Sequence, residues 1–477
     1  MKFLKIFLSA TIVLFVTALC LKAEEAPTFV QFARPLAMGQ AFTAVADDNN
    51  LFAYNPAGLV QRTGSEFTLL EIMGGMSEDA MKAYKFVKDN QDHLTHFESF
   101  ASQDPPGAAY LVNKIRTDIS RLNPHIFASA DVASYLSGPS FWGAHLGIGA
   151  LGSTDDRFFL NSPQPIPSIT YFFNSDVMVP VTLAKRWDNV PLIPGKLGVG
   201  VTAKFIRRFQ VFRVNESVTE LDNLKSPPVS KGKAFGGDVG LLYQPTNRVN
   251  AGMMVQDFGG TKMSFEALDA KKGFPALPGR DTVIRPRTNL GLAMVPSSLL
   301  FLLPTNDRWT FSADINDVMS PREHVLFQNG LNRVLGENLY THLHFGAEFR
   351  YWFMRFRGGI NQGYPCGGLG IDIPFLKIDY AYFVRELGEF AGDVKEVNHA
   401  ISLAIKFGSG NVEGRERIKK AKEANKQKNV GAPEGGQEVK PANQAAPAPN
   451  APAKEASPKE STPTGEKTPA DKQEIPK

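Results

Sequence analysis

His342 and His344 stand two residues apart, which on a strand puts both imidazoles on one face, and His93 and His96 stand three apart, which does the same on a helix. Either pair offers two corners of a metal site, but neither has a third ligand at metal-binding spacing, so the residues read as polar lining. The carboxylates of Asp238, Asp314, Glu348 and Asp379 and the bases Lys196, Lys204, Arg350 and Lys377 fall on the polar side of alternating stretches. Charges gathered on one such face neutralise one another by ion pairing when water is scarce. Lys196, Lys204, Asp238, Asp314, His344, Glu348 and Arg350 are therefore candidate lining of an interior. No Gly-x-Ser-x-Gly elbow, phosphate loop or metal-protease motif occurs. We expect no catalytic residue, no metal, no cofactor and no enzymatic activity.

Strands must position those groups. In the segment 196–205, Leu197, Val199, Val201, Ala203 and Phe205 point one way, and Lys196, Gly198, Gly200, Thr202 and Lys204 the other. The pattern returns in 309–316 and 343–350, where Thr310, Ser312, Asp314 and Asn316, then His344, Gly346, Glu348 and Arg350, share the polar face. In 399–407, Ile401, Leu403, Ile405 and Phe407 oppose Ser402, Ala404 and Lys406. A dry sandwich core has no water for such charges, whereas a membrane barrel carries apolar residues toward lipid and polar ones toward its lumen.

Alternation bounded by Gly, Pro, Asn or Asp predicts strands over 65–74, 124–136, 140–152, 169–187, 196–209, 233–244, 248–258, 286–296, 308–316, 340–351, 354–361, 366–373, 376–385 and 398–407. The number is even, as a closed single-chain bacterial barrel needs. Tyr171 to Phe173, Trp142, Trp309, Tyr351 to Phe353, Tyr380 and Tyr382 fall at or near strand ends, where aromatic girdles lie. The longest connections, 210–232, 259–285 and 317–339, read as extracellular loops. Residues 77–121 have helical spacing instead, split at Pro105-Pro106-Gly107. Such an insertion fills the lumen, caps an end or lies on the membrane.

Lys2 and Lys5 precede an apolar run from Ile6 to Leu19 and short residues to Ala23, a secretory signal over 1–23; a lipoprotein reading of Cys20 is opposed by bulky Leu19. Of the net charge of +4, Lys2, Lys5 and Lys22 supply three and leave with that signal, so no nucleic-acid partner is expected. Beyond the signal no run of about twenty apolar residues could form a helical span. Once the signal is gone, Cys366 is the only cysteine and no internal disulfide forms. Residues 409–477 turn to Ala, Pro, Lys and Glu, a composition that buries too little apolar surface to order itself. Glu413 to Lys428 can form a charge-laced helix first. After the last strand of an outer-membrane barrel, this tail would lie in the periplasm.

The stretch from Arg34 to Leu59, RPLAMGQAFTAVADDNNLFAYNPAGL, resembles the N-terminal signature of the FadL superfamily of outer-membrane proteins, which includes long-chain fatty acid transporters and the PorV and TraF branches. Met354 to Gly370, and Ile378 to Tyr382 followed by Glu386 to Gly388, resemble it less closely. The resemblance implies an all-β fold, an antiparallel transmembrane barrel of about fourteen strands, here over 65–408; the helical insertion at 77–121 and the tail depart from the transporters and look more like the PorV and TraF branches. It also implies an N-terminal hatch over 24–64, with hydrophobic compounds captured outside and released toward the membrane. Carried over, Gly39, Ala41, Asp47, Asp48, Asn55, Pro56, Ala57 and Gly58 would be hatch residues. Asn55-Pro56 would fix a turn, Gly58 allow a tight exit, and Asp47 or Asp48 cap a short helix. Three functions follow as expectations: passage of small hydrophobic molecules such as long-chain fatty acids, a PorV-like scaffold for secreted or periplasmic protein partners, or a soluble periplasmic β protein. The first two place the chain among outer-membrane lipid.

Overall fold

The computed structural model describes residues 24–25, 32–89, 96–119, 125–141, 143–161, 168–188, 190–191, 194–217, 228–269, 276–299, 303–305, 307–318, 339–386 and 395–408. The signal segment 1–23, the tail 409–477, His93, Trp142 and most of the connection 317–339 lie outside them.

Every segment expected to be a strand is one. In chain order they are β1 (Glu66–Ser77), β2 (His125–Phe141), β3 (Ala144–Asn161), β4 (Ser168–Trp187), β5 (Lys196–Ser217) and β6 (Ser230–Thr246). Then come β7 (Val249–Gln256), β8 (Thr261–Phe265), β9 (Arg280–Ile284), β10 (Arg287–Met294), β11 (Trp309–Ile315) and β12 (Leu343–Tyr351). The last are β13 (Met354–Asn361), β14 (Tyr364–Ile373), β15 (Leu376–Glu386) and β16 (Lys395–Gly408). β7 and β8 are two lengths of one wall strand, and β9 and β10 of the next, because β6 pairs with both of the first and these pair with both of the second. The wall therefore has fourteen antiparallel strands, closed by β16 on β1 from Asn398↔Ser77 to Gly408↔Glu66. Glu24–Glu25 lie parallel to Val283–Ile284 of β9.

Closure satisfies backbone groups that lipid cannot. The faces sort as the alternation requires: Leu183, Val201, Phe205, Leu292, Phe345, Ile360, Leu369 and Ile401 are exposed on the outside, whereas Thr182, Thr202, Lys204, Asp314, Glu348 and Ser402 are buried within. This apolar exterior overturns the soluble alternative, since water would meet a continuous band of large side chains. At the end that carries both barrel termini, Trp309 packs on Phe349 at 4.8 Å and Trp352 on Phe353 at 4.9 Å. Tyr380 and Tyr382 instead sit within β15, against His399.

Two expectations are corrected. The connections 210–232 and 259–285 are in part wall, since β5 runs on to Ser217 and 259–285 contains β8 and β9. His342 closes a short helix, Leu339–His342, rather than sharing a strand with His344. The insertion, whose place the sequence leaves open, has its described helices at an end of the barrel rather than in the lumen. It forms α3 (Glu78–Asp89), α4 (Phe97–Gln103) and α5 (Pro105–Ile119), after two short helices described below, and leaves Met81, Tyr84 and Tyr110 exposed at the end opposite the barrel termini. The break before Pro105 is as expected: Asp104 ends α4, and its carboxylate accepts the Gly107 N–H at 3.0 Å to start α5.

The lipid face gives a direct test. Val201 lies between Leu183 and Val239 on neighbouring strands. Val201→Arg should cost about 2–4 kcal/mol of barrel stability, read by urea unfolding in lipid bilayers; an unchanged midpoint would place that face elsewhere.

Candidate functional site

Residues 32–62 occupy the inside of the barrel. They form α1 (Ala33–Ala37), α2 (Leu51–Tyr54) and a 3-10 turn, Pro56–Gln61, and nearly every side chain is buried. A segment this short has no core of its own. It lends its apolar residues to the wall: Phe52 stacks on Tyr135 at 5.2 Å, and Phe32 meets the same ring edge-on at 6.2 Å.

Close approach to the wall depends on glycine. A Cβ on Gly252 would stand 2.6 Å from the Thr43 carbonyl oxygen, and one on Gly346 2.5 Å from that of Met38. Gly198, Gly291 and Gly359 likewise face the segment, against Val60, Thr43 and Met38. Gly39 adopts φ +62°, and a side chain there would strike the Phe345 and Ile360 carbonyl oxygens at 2.6 Å.

The polar ties centre on Arg34. Its guanidinium lies 2.6 Å from Asp47, 2.8 Å from Asp48 and 2.9 Å from Glu348, joining two carboxylates of its own segment to one of the wall. Glu348 also takes Arg350 and, at 2.8 Å, Arg357, which reaches Asp379 at 2.6 Å. Lys377 bridges Asp379 at 3.3 Å and Asp48 at 3.2 Å. All of these but Asp379 line a polar cavity of about 110 Å³ together with Arg62, Glu66 and Glu71. Burial alone would lower the Arg34 pKa, but Asp47, Glu348 and Asp48 outweigh it and hold the guanidinium above its ordinary value. Burial would raise the Asp48 carboxyl; Lys377 and Arg34 overcome this and hold it well below the usual carboxylate range.

The other expected residues fall around this node. Asn55 is extended, accepts the Ala57 N–H at 3.0 Å, and donates to the carbonyls of Thr43 at 2.9 Å and Leu241 at 3.1 Å, so it joins plug to wall. Pro56 starts the turn, and Ala41 and Ala57 are fully buried. Gly58 is no exit: it lies inside the 3-10 turn, where a Cβ would come 2.7 Å from the Ala46 Cβ. Neither Asp47 nor Asp48 caps a helix. Asn50 precedes α2 without a side-chain cap, and Asp48 instead accepts the Asn50 N–H at 3.0 Å while serving Arg34.

Among the described residues Asp314 forms no ion pair. It accepts the Phe42 and Thr43 N–H groups at 2.8 and 2.7 Å, fixing plug main chain to β11. His344 donates from Nδ1 to the Gly39 carbonyl at 2.8 Å. Lys196 lies at a rim, 3.8 Å from Asp188. Lys204 pairs with Asp238, as expected, and with Asp257.

Besides register shifts elsewhere in the ladder, the described wall has an irregularity that interrupts two neighbouring strands. Gln256 pairs with Arg287 and Thr261 with Ile284, so the four residues 257–260 face only Arg285 and Pro286. Asp257 is at φ +51°, followed by Gly259 at +76° and Gly260 at +83°. The excursion satisfies its own backbone by Phe258 N–H to Gly237 O and Gly260 N–H to Asp257 O, both 2.8 Å. Two neighbouring wall strands are thus broken at one height.

No family model matches the chain, and no curated protein does. Among solved structures, the Ralstonia pickettii toluene transporter TbuX is 14% identical, with 79% of this chain and 98% of that one covered at a TM-score of 0.41. The Pseudomonas putida toluene transporter TodX is 11% identical over 82% and 100%, at 0.40. A Pseudomonas aeruginosa FadL homologue is 11% identical over 81% and 99%, also at 0.40. The fold assignment rests on the barrel's own strand pairing.

Proposed function

We propose that the protein is an outer-membrane conduit for small hydrophobic molecules, closed at rest by residues 32–62 and emptying sideways into lipid through the break at 257–260 and 285–286. The paired break carries the reading. Bilayer hydrocarbon penalises unpaired backbone, and a wall that serves only as a wall has no need to interrupt two adjacent strands together. A lipid-soluble cargo needs only to reach that hydrocarbon. Phe235 and Phe258, exposed beside the break, offer it an apolar margin.

Charge argues the same way. Arg208 with Asp176 and Arg385 with Glu396 neutralise one another inside the barrel, and Lys204 stands between Asp238 and Asp257, so both signs lie together and these groups are poorly suited to select an ion of one sign. Long-chain fatty acids are the cargo class that the N-terminal signature suggests. A second reading, a scaffold for secreted or envelope proteins, draws support from the exposed Met81, Tyr84 and Tyr110 on α3 and α5, which form a surface for either a hydrophobe or a partner.

Two experiments decide. Proteoliposomes should take up labelled palmitate or toluene faster than empty liposomes; no excess for either overturns the conduit, and recovery of a stable partner from detergent extracts would then favour the scaffold. A Cβ on Gly236 would lie 3.2 Å from the Thr261 Cβ, a few tenths of an ångström short of an ordinary disulfide span. Oxidised Gly236→Cys/Thr261→Cys should therefore pass cargo several times more slowly than the same protein reduced.

The plug's tie is testable separately. Arg34→Met removes the cation that Asp47, Asp48 and Glu348 share and leaves them Arg350, Lys377 and Arg357, a loss of about 1.5–3 kcal/mol in charged hydrogen bonds, enough to raise the open fraction by roughly one to two orders of magnitude. Planar-bilayer recordings should show conductance where the parent is closed. Because Asp48 is held low, its contribution is present above the ordinary carboxylate range and is lost only as pH falls through that depressed value. Arg34, held high, loses its contribution only above its raised value. Protection of the Asn50 amide from hydrogen exchange, corrected for intrinsic rate, should therefore be the same at about pH 4.5 and pH 8.

A further inference from the structure

We propose that Lys204 is a positioning residue that sets the shape of the wall break, acting through Asp238 and Asp257; the inference rests on reading that break as the exit. Lys204 stands on β5, with β6 between it and the excursion. Its Nζ lies 2.8 Å from Asp238 Oδ1 and 2.9 Å from Asp257 Oδ1, and all three residues are buried. Asp257 opens the excursion in a left-handed conformation that is uncommon for a residue other than glycine and that its surroundings help to impose.

Its own contacts supply that imposition. The Asp257 N–H donates to Asp238 Oδ1 at 2.8 Å, and its carboxylate accepts the hydroxyl of Thr261, the first residue of β8, at 2.7 Å. One carboxylate thus gathers both ends of the four-residue excursion, and one ammonium holds that carboxylate inward. Asp257 Oδ2 is buried with no hydrogen-bond partner among the described residues, so Lys204 is its near counter-charge. Without the lysine, two carboxylates would face each other in a medium that screens poorly. Asp257 would swing away, and the bonds from Phe258 to Gly237 and from Gly260 to Asp257 would go with it.

The test compares Lys204→Met with the conservative Lys204→Arg in lipid nanodiscs. Hydrogen exchange at the Phe258 and Gly260 amides should rise about tenfold or more in Lys204→Met and stay close to the parent in Lys204→Arg, with Phe345 and Ala347 of β12 unchanged in both. A general loss of stability would instead move all four amides and would overturn the assignment, as would unchanged exchange at 258 and 260. Should Lys204→Met fail to assemble, Lys204→Gln removes the charge while keeping a polar side chain and carries the same expectation. Palmitate efflux from proteoliposomes carrying the same variants separates the two claims. If the break loosens while efflux stays constant, Lys204 keeps its positioning role and the sideways exit falls.

Discussion

Lipid offers no hydrogen bonds, and from that constraint the rest follows. A sheet in hydrocarbon must close, and β16 meets β1 over the whole length of the last strand but for its first three residues. Closure puts alternate residues on a face water can reach only along the lumen. That face can carry Lys204, Arg357 and Asp379, provided each charge finds its opposite nearby. The same face can carry glycine where something must come close. In the register, Gly252 lies opposite Gly291 and Gly346 opposite Gly359, so neighbouring strands drop their side chains together and make room for the plug backbone.

The plug inherits this mixture. Its apolar residues need the wall because thirty-odd residues cannot cover them. Its main chain needs the wall as well: Asp314 takes two of its N–H groups and His344 one of its carbonyls. Arg34 then ties two plug acids to Glu348, whose other partners belong to β12 and β13. Cutting the node would leave several groups unsatisfied at once, so it behaves as one unit.

The wall was legible because alternation is a local property. Phe205 and Lys204 declare opposite faces with no knowledge of their neighbours, and all fourteen segments could be placed from such pairs. Strand ends were less legible. Gln210 to Ser217 continue β5 beyond the expected end, and Gly259-Gly260 opens a stretch that reads as a loop although it only interrupts a strand. Partners were least legible, because they depend on the register. The role of Asp314 could not be read from its own strand, since its partners are backbone groups some 270 positions away in sequence. Arg34 left a signal that went unused: one cation followed by Asp47 and Asp48 in a segment too short to form a core. The inward glycines at one height left another.

The two irregular features of the barrel share a physical logic. An apolar plug in an apolar sleeve would be held by area, and area is lost gradually as the parts slide. Ion pairs and hydrogen bonds fail over fractions of an ångström, so a polar tie has two states, held and released. The plug node and the Lys204 cluster are both of this kind, and both are buried where solvent screening is weak. A barrel has few other ways to build a moving part, because its ladder cannot open without exposing backbone. The excursion at 257–260 escapes this limit by bonding within itself and to β6, so its shape can change at the cost of a few bonds while the closed sheet on either side stays intact.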